Sequence, residues 1–261
     1  MAAVTDVVLP TSPDEAVAAF ADGSSVTVVG GGTIVMPEIS AGRLRPTRAL
    51  LLARAGLAGV SQDGSRVTIG AMATIEDLVG LGAPLGPCAA NVADIEIRSQ
   101  ATVGGNLCCG HGEVPRGDLQ GPLIAVDATV TSAGADGTRT QLLTDFLPSR
   151  EGRLVLEVAY EQPAAGAFVP LDRPHAHEYT TLAVSSARFG DGSIRLAVTG
   201  VASHGVRLPS AEAIAGDPEA AGKAALGDVE LQDDALASAW YRERALPVLV
   251  RRALAELEES R

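Results

Sequence analysis

The sequence predicts an α+β fold, and three observations carry that prediction. Strand and helix signals alternate over the first 56 residues, short strands joined by Asp-Gly turns follow from Leu57, and a long amphipathic stretch closes the chain. The expected organisation is a small α/β unit over 1–56, a larger α+β unit with a mixed sheet over 57–162, and a small C-terminal unit of antiparallel strands and helices over 163–261.

The elements follow in order. Ser12-Pro13-Asp14-Glu15 puts a capping residue before a proline at the first helical position, so a helix runs through Ala16–Phe20 and ends near Gly23. Ser25–Val29 is a short β-branched run that leads into Gly30-Gly31-Gly32-Thr33 and then a helix from about Ile34. Asp63-Gly64, Asp136-Gly137 and Asp191-Gly192 each sit between alternating apolar residues and predict antiparallel hairpins. Thr74-Ile-Glu-Asp77 resembles a capping box, a second helix signal covers Pro87–Ala93, and Arg153–Tyr160 reads as an extended strand. Gln162–Ala167 is expected to be a linker and Tyr179–Ser185 a helix. The tail from Asp233 to Glu258 carries Leu236, Trp240, Leu246, Leu249, Val250, Ala253, Leu254 and Leu257 at helical spacing, with Pro247 expected to kink it or split it in two.

Composition narrows the function. A net charge of −12 opposes a phosphate backbone, which excludes nucleic acid as an expected partner. No apolar run approaches the roughly 20 residues of a membrane-spanning helix, and the start Met1-Ala-Ala-Val-Thr-Asp lacks the features of an export signal. Cys88, Cys108 and Cys109 are too few and too badly spaced for a disulfide framework, so a cytoplasmic location is expected. With 3% aromatic residues, a flat ring would be held by main chain and aliphatic walls.

Two segments carry the chemistry. Gly30-Gly31-Gly32-Thr33 follows a strand and opens a helix, a setting in which main-chain amides converge on an anion, although glycine-rich tight turns also occur without a ligand. Arg98-Ser-Gln-Ala-Thr102-Val103-Gly104-Gly105-Asn106-Leu107 offers a hydroxyl, two positions free of side chains and a carboxamide to a diphosphate, with no cation needed. A bulged strand and turn would account for its glycines but not for Thr102 and Asn106.

Gly30–Thr33, Ile97–Leu107 and Asp118–Ala128 resemble, in order and spacing, the FAD-binding medium subunits of molybdopterin dehydrogenases. The tail Ser238–Arg242 through Leu249–Leu254 is similar to the end of that family's C-terminal domain. The resemblance implies a two-lobed FAD-binding domain, with Gly30, Gly31, Gly32, Thr33, Ile34 and Val35 on one side of the diphosphate and Thr102, Val103, Gly104, Gly105 and Asn106 on the other. It places Asp118 near the diphosphate and ribityl chain, where a helix N-cap is the competing reading. Val92 and the Leu154–Leu156 strand, centred on Val155, fall at apolar walls of the flavin, although each would also serve as an ordinary core residue.

The same resemblance implies an electron-transfer subunit with no catalytic or metal-binding side chain of its own. Molybdopterin would sit on a large partner subunit and iron–sulfur clusters on a small one, in a dimer of heterotrimers. A self-contained flavin oxidase and a flavin-less structural subunit are the alternatives. Two departures stand out. Family members usually carry a Lys near the flavin, whereas Phe168–Tyr179 has none and offers Arg173, His175 or His177 instead. Cys108-Cys109-Gly-His111 invites an inserted cluster, but a single cluster needs four well-spaced ligands, so no metal site is expected.

Overall fold

The computed structural model describes residues 5–109, 117–171 and 180–260. It is a mixed α/β structure built on sheets of three, five and four strands.

The N-terminal unit comprises β1 (Asp6–Val8), α1 (Pro13–Phe20), β2 (Thr27–Val29), α2 (Val35–Ser40) and β3 (Arg48–Leu51). The strands are parallel in the order β1-β3-β2, as the short helical crossovers require. Ser12 caps α1 as expected, its Oγ accepting the Glu15 N–H at 3.2 Å. The sequence reading did not assign β3, the central strand, although its signal was the apolar run Ala49-Leu50-Leu51. Leu50 and Leu52 are buried with Ala16 and Phe20, and Leu154 from the next unit joins this cluster.

The second unit runs through β4 (Val60–Asp63), β5 (Arg66–Gly70), α3 (Leu85–Asn91), α4 (Ile95–Arg98), α5 (Val103–Cys108), α6 (Gln120–Ala125), β6 (Thr129–Gly134), β7 (Gly137–Leu142), α7 (Leu143–Phe146) and β8 (Leu154–Glu161). Its five strands pair antiparallel in the order β4-β5-β8-β6-β7. Gly64 at φ 61° and Gly137 at φ 91° make the turns that the Asp-Gly pairs predicted. Thr74 and Asp77 do form a reciprocal cap, the Asp77 carboxylate accepting from Thr74 N–H at 2.8 Å and Thr74 Oγ1 from Asp77 N–H at 3.2 Å. They cap a short 3₁₀ turn, Glu76–Leu78.

The third sheet corrects two expectations. Ala165–Pro170 is strand β9 and Ala183–Arg188 is strand β10, followed by β11 (Ile194–Thr199) and β12 (Val206–Arg207) in the antiparallel order β12-β11-β10-β9. The expected linker Gln162–Ala167 looked structureless because it is small and glycine-containing. Gly166 is small because a β-carbon there would stand 2.4 Å from the Ala83 carbonyl oxygen. The expected helix at Tyr179–Ser185 fails because Ala183–Ala187 is buried on both faces, and a short run of small residues buried all round carries neither the strand nor the helix period. Tyr179 itself lies outside the described residues.

One face of this sheet packs on α6, where Ala183, Ala187 and Ala197 join the core of the second unit. The other face packs on the C-terminal helix, after α8 (Pro209–Glu212) and α9 (Pro218–Ala224). That helix, α10 (Ala239–Glu259), begins at a Ser238 cap rather than near Asp233 and continues through Pro247 as one element. Leu246, Leu249, Val250, Ala253, Leu254 and Leu257 form its buried stripe. Trp240 does not belong to that stripe, since it is 60% exposed and stacks under Arg244. Among the described residues, no helix is long and apolar enough to cross a membrane.

Candidate functional site

A cavity of about 940 Å3 opens where the N-terminal sheet meets the second unit. Its walls include Gly30, Gly31, Gly32, Thr33, Ile34, Val35, Val92, Thr102, Gly104, Gly105, Asn106, Asp118 and Val155, so thirteen of the fourteen expected residues line one space. The exception is Val103, whose side chain is fully buried in the core of the second unit and acts as packing.

The two glycine loops do different work. In the first, the Gly32 carbonyl accepts the Met36 amide at 2.9 Å and so begins the turn that leads into α2. Amides ahead of that point have no helical acceptor, and among the described residues those of Gly31, Gly32, Thr33 and Ile34 have no protein partner. They are therefore the main-chain donors open to an anion. Gly32 also requires its φ of 76°, which side chains rarely adopt.

The second loop corrects the expectation of amides facing a diphosphate. Val103 N–H donates to Ala73 O at 3.0 Å, Gly104 N–H to Ala71 O at 2.8 Å, Gly105 N–H to Thr102 Oγ1 at 3.2 Å and Asn106 N–H to Thr102 O at 2.8 Å. This segment is the capped start of α5, neither an open nest nor a bulged strand. Its glycines serve contact: a β-carbon at Gly104 would stand 3.1 Å from Ala71, which itself donates to Leu156 O at 3.0 Å. The loop is thereby strapped to β8 and presents a floor without side chains. Its remaining donor is the Asn106 carboxamide, because Asn106 Oδ1 accepts the Leu119 amide at 3.0 Å and leaves Nδ2 for the cavity.

Close approach also explains the first loop's composition. A β-carbon on Gly30 would lie 2.6 Å from Thr102 Oγ1, and one on Gly31 would lie 1.7 Å from the Gln100 carbonyl oxygen. These glycines allow the two loops to touch each other, a reason the sequence alone did not reveal.

Asp118 lines the cavity and does not cap α6, whose N-cap position is Leu119 with no side-chain bond. Cys88 Sγ donates to the Asp118 carbonyl at 3.4 Å; burial pushes the Cys88 thiol well up, and the Asp118 charge adds to this. Cys108 and Cys109 both face the cavity, and desolvation raises the Cys108 pKa to about 11. His111 lies outside the described residues, as do Arg173, His175 and His177. Among the described residues no three His, Cys, Asp or Glu side chains gather as metal ligands.

Sequence reasoning missed several wall residues. Arg153 is buried, and its guanidinium donates to Ser132 Oγ at 3.2 Å and Ser132 O at 2.7 Å while pairing with Asp136. Arg43 makes a bidentate pair with Glu38 at 2.7 and 2.9 Å, and both line the cavity. Asn91 Nδ2 donates to Thr180 Oγ1 at 3.1 Å, which ties α3 to the segment leading into β10 at the cavity edge. Behind the wall, buried Gln120 accepts from Gly205 N–H at 2.7 Å and donates to Leu107 O at 3.0 Å, which holds α5, α6 and the segment leading into β12 together. Arg153, Asn91 and Gln120 sat in no recognisable pattern, because each depends on contacts distant in sequence.

The chemistry of this site fits FAD. Unpaired amides suit a diphosphate, Asn106 Nδ2 and the Asp118 carboxylate suit polar groups beside it, and Val92, Leu154, Val155 and Ile97 supply the aliphatic walls that a ring needs in a chain poor in aromatics.

Comparison with known proteins agrees. Residues 3–159 match the family described as FAD binding domain in molybdopterin dehydrogenase. The chain is 28% identical over 276 residues to the carbon monoxide dehydrogenase medium chain of Hydrogenophaga pseudoflava, covering 94% of each. It is 28% identical over 279 residues to the 6-hydroxypseudooxynicotine dehydrogenase complex subunit alpha of Paenarthrobacter nicotinovorans, covering 96% of this chain and 93% of that one. Among solved structures, a carbon monoxide dehydrogenase from H. pseudoflava that lacks the Mo-pyranopterin moiety superposes with a TM-score of 0.84 at 26% identity, covering 100% of this chain and 99% of the other. The chain therefore belongs to the FAD-binding domain family of the molybdopterin dehydrogenases.

Proposed function

We propose that this chain is the FAD-carrying electron-transfer subunit of a molybdenum-containing hydroxylase. In this reading it accepts electrons from iron–sulfur clusters of a small partner subunit and passes them to an external acceptor, while a large partner subunit holds molybdopterin and performs the hydroxylation. The assembly we propose is a dimer of heterotrimers in the cytoplasm. Residues 1–56 and 57–162 act as the two lobes that hold the cofactor, and 163–261 form a C-terminal domain.

One observation carries the reading: the acceptor-less amides of Gly31, Gly32, Thr33 and Ile34 open onto the same cavity as Asn106 and Asp118. The amides would hold the diphosphate, Asn106 Nδ2 would donate beside it, and Asp118 would accept from ribityl hydroxyls. Val92 and Val155 would keep water from the ring. Bound FAD would supply a two-electron store that can be filled one electron at a time. No side chain of this chain needs to act as acid or base.

Expression of the full chain followed by a visible spectrum tests this directly. Flavin bands that are released with FAD on denaturation support it, and a colourless chain that takes up no added FAD rejects it. Isolation with two partner chains, one holding molybdenum and one holding iron–sulfur clusters, would support the assembly.

A further inference from the structure

Resting on the FAD reading, we propose that Arg98 is a positioning residue of the flavin site: it grips the carbonyls at the end of α3 and so holds the Val92–Ala93 turn as a wall of the cavity.

The last carbonyls of a helix have no helical donor. At α3 they are met by one side chain from α4. Arg98 Nη1 donates to Ala90 O at 3.4 Å, to Val92 O at 3.3 Å and to Ala93 O at 3.2 Å, and a cation suits that end of a helix. Its Nε donates to the Glu76 carboxylate at 2.7 Å, in the 3₁₀ turn Glu76–Leu78. The Arg98 side chain is 16% exposed, so its guanidinium is held from two sides with little competition from water.

The turn needs such a grip. Ala93 has a φ of 42°, which a residue with a β-carbon rarely adopts. It is also exposed, so burial of its methyl does not hold it there. Val92 and Ala93 line the cavity, and so does Ile97 on α4. Asp94 caps α4, its carboxylate accepting the Ile97 amide at 2.8 Å, so a shift at Ala93 is passed on to Ile97. Ile97 O in turn accepts the Ala101 amide at 2.7 Å, and Ala101 O accepts the Ile75 amide at 2.9 Å, beside Glu76. A short network thus joins the Val92 wall to the residue before Thr102. Arg98 is not itself a wall residue, so it acts on the cofactor only through this turn. A turn that holds its binding shape for only a fraction of the time weakens apparent affinity by that fraction.

The competing role for Arg98 is a brace between α3, α4 and the 3₁₀ turn, with no bearing on the cofactor. The test titrates the full chain with FAD by fluorescence, with thermal unfolding as the control for folding. Arg98→Met should weaken FAD binding by about tenfold, the scale set by a residue left in a sparsely populated backbone conformation. Water admitted beside the ring should also blur the vibrational structure of the visible flavin band. Arg98→Lys should fall between wild type and Arg98→Met, because one ammonium cannot serve Glu76 and the carbonyls in the manner of a planar fork. Adding Ala93→Gly to Arg98→Met should restore most of the affinity, since glycine takes positive φ without steric cost, whereas it replaces no bond to Glu76. Wild-type affinity in a folded Arg98→Met, or no recovery in the double variant, overturns the proposal. Should Arg98→Met not fold, Ala93→Val strains the same turn at an exposed position with Arg98 intact. It should bind FAD more weakly, and unchanged affinity there also overturns the proposal. A wild-type chain that takes up no FAD is the separate result that overturns the reading beneath it.

Discussion

Gly31 and Gln100 approach so closely that a β-carbon on the glycine would stand 1.7 Å from the Gln100 carbonyl oxygen. The first glycine loop is thus fitted to the backbone of the second unit as well as to a ligand. Gly31→Ala should force that junction apart at a cost of about 1–3 kcal/mol. FAD should be largely lost from the purified chain, and thermal unfolding with and without added FAD would measure both effects. Full FAD occupancy in this variant would show that the two loops do not need their contact.

Asn106 separates stability from binding. Its Oδ1 holds the buried Leu119 amide, so Asn106→Ala should destabilise the chain by about 1–3 kcal/mol in denaturant unfolding. Asn106→Asp keeps an acceptor for that amide but replaces Nδ2 with an anionic oxygen facing the diphosphate site. It should retain most of the stability and bind FAD at least about tenfold more weakly by fluorescence titration. Equal FAD affinity in Asn106→Asp and wild type would remove Asn106 from the binding group.

The base of α10 is held by a buried ion pair between Arg242 and Asp234, with side chains 1% and 6% exposed. Burial opposes ionisation of Asp234, but the Arg242 guanidinium and the Ala237 and Leu236 amides outweigh it, so its pKa lies below the usual value. A depressed carboxyl pKa contributes stability that is present above the unfolded value of about 3.9 and is lost as pH falls through the folded one. Asp234→Asn should therefore cost about 3 kcal/mol at neutral pH, with the gap to wild type closing in strong acid. Chemical denaturation at several pH values would show a constant gap if the pair did not contribute.

Cys108 faces the cavity with its thiol pKa pushed up to about 11 by desolvation. At pH 8 about one thiol in a thousand is ionised. Iodoacetamide should label it more than about a hundredfold more slowly than glutathione, followed by mass spectrometry. Labelling at the free-thiol rate would mean that water reaches the sulfur.

Much of the site was legible in the sequence, because the residues that form it are grouped in short motifs. Gly30–Val35 and Thr102–Asn106 were found as runs and, Val103 apart, do line one cavity. Their division of labour was not legible. Whether an amide is spent inside the protein depends on acceptors such as Ala71 and Ala73, which lie some thirty residues before Val103 and Gly104 in the chain. Arg153 was passed over for the same reason, since its partners Ser132 and Asp136 lie on another hairpin.

By itself the sequence determined the local elements that turn chemistry and capping dictate: the Asp-Gly hairpins, the Ser12 cap and the Thr74–Asp77 cap. Only the tertiary structure decided that β3 lies at the centre of its sheet, that Ala165–Pro170 and Ala183–Arg188 are strands, and that Pro247 sits within an unbroken helix. Caps and turns are settled by atoms a few residues apart. A strand gains its hydrogen bonds from a partner far along the chain, so small or continuously apolar segments take their conformation from the surface they are packed against.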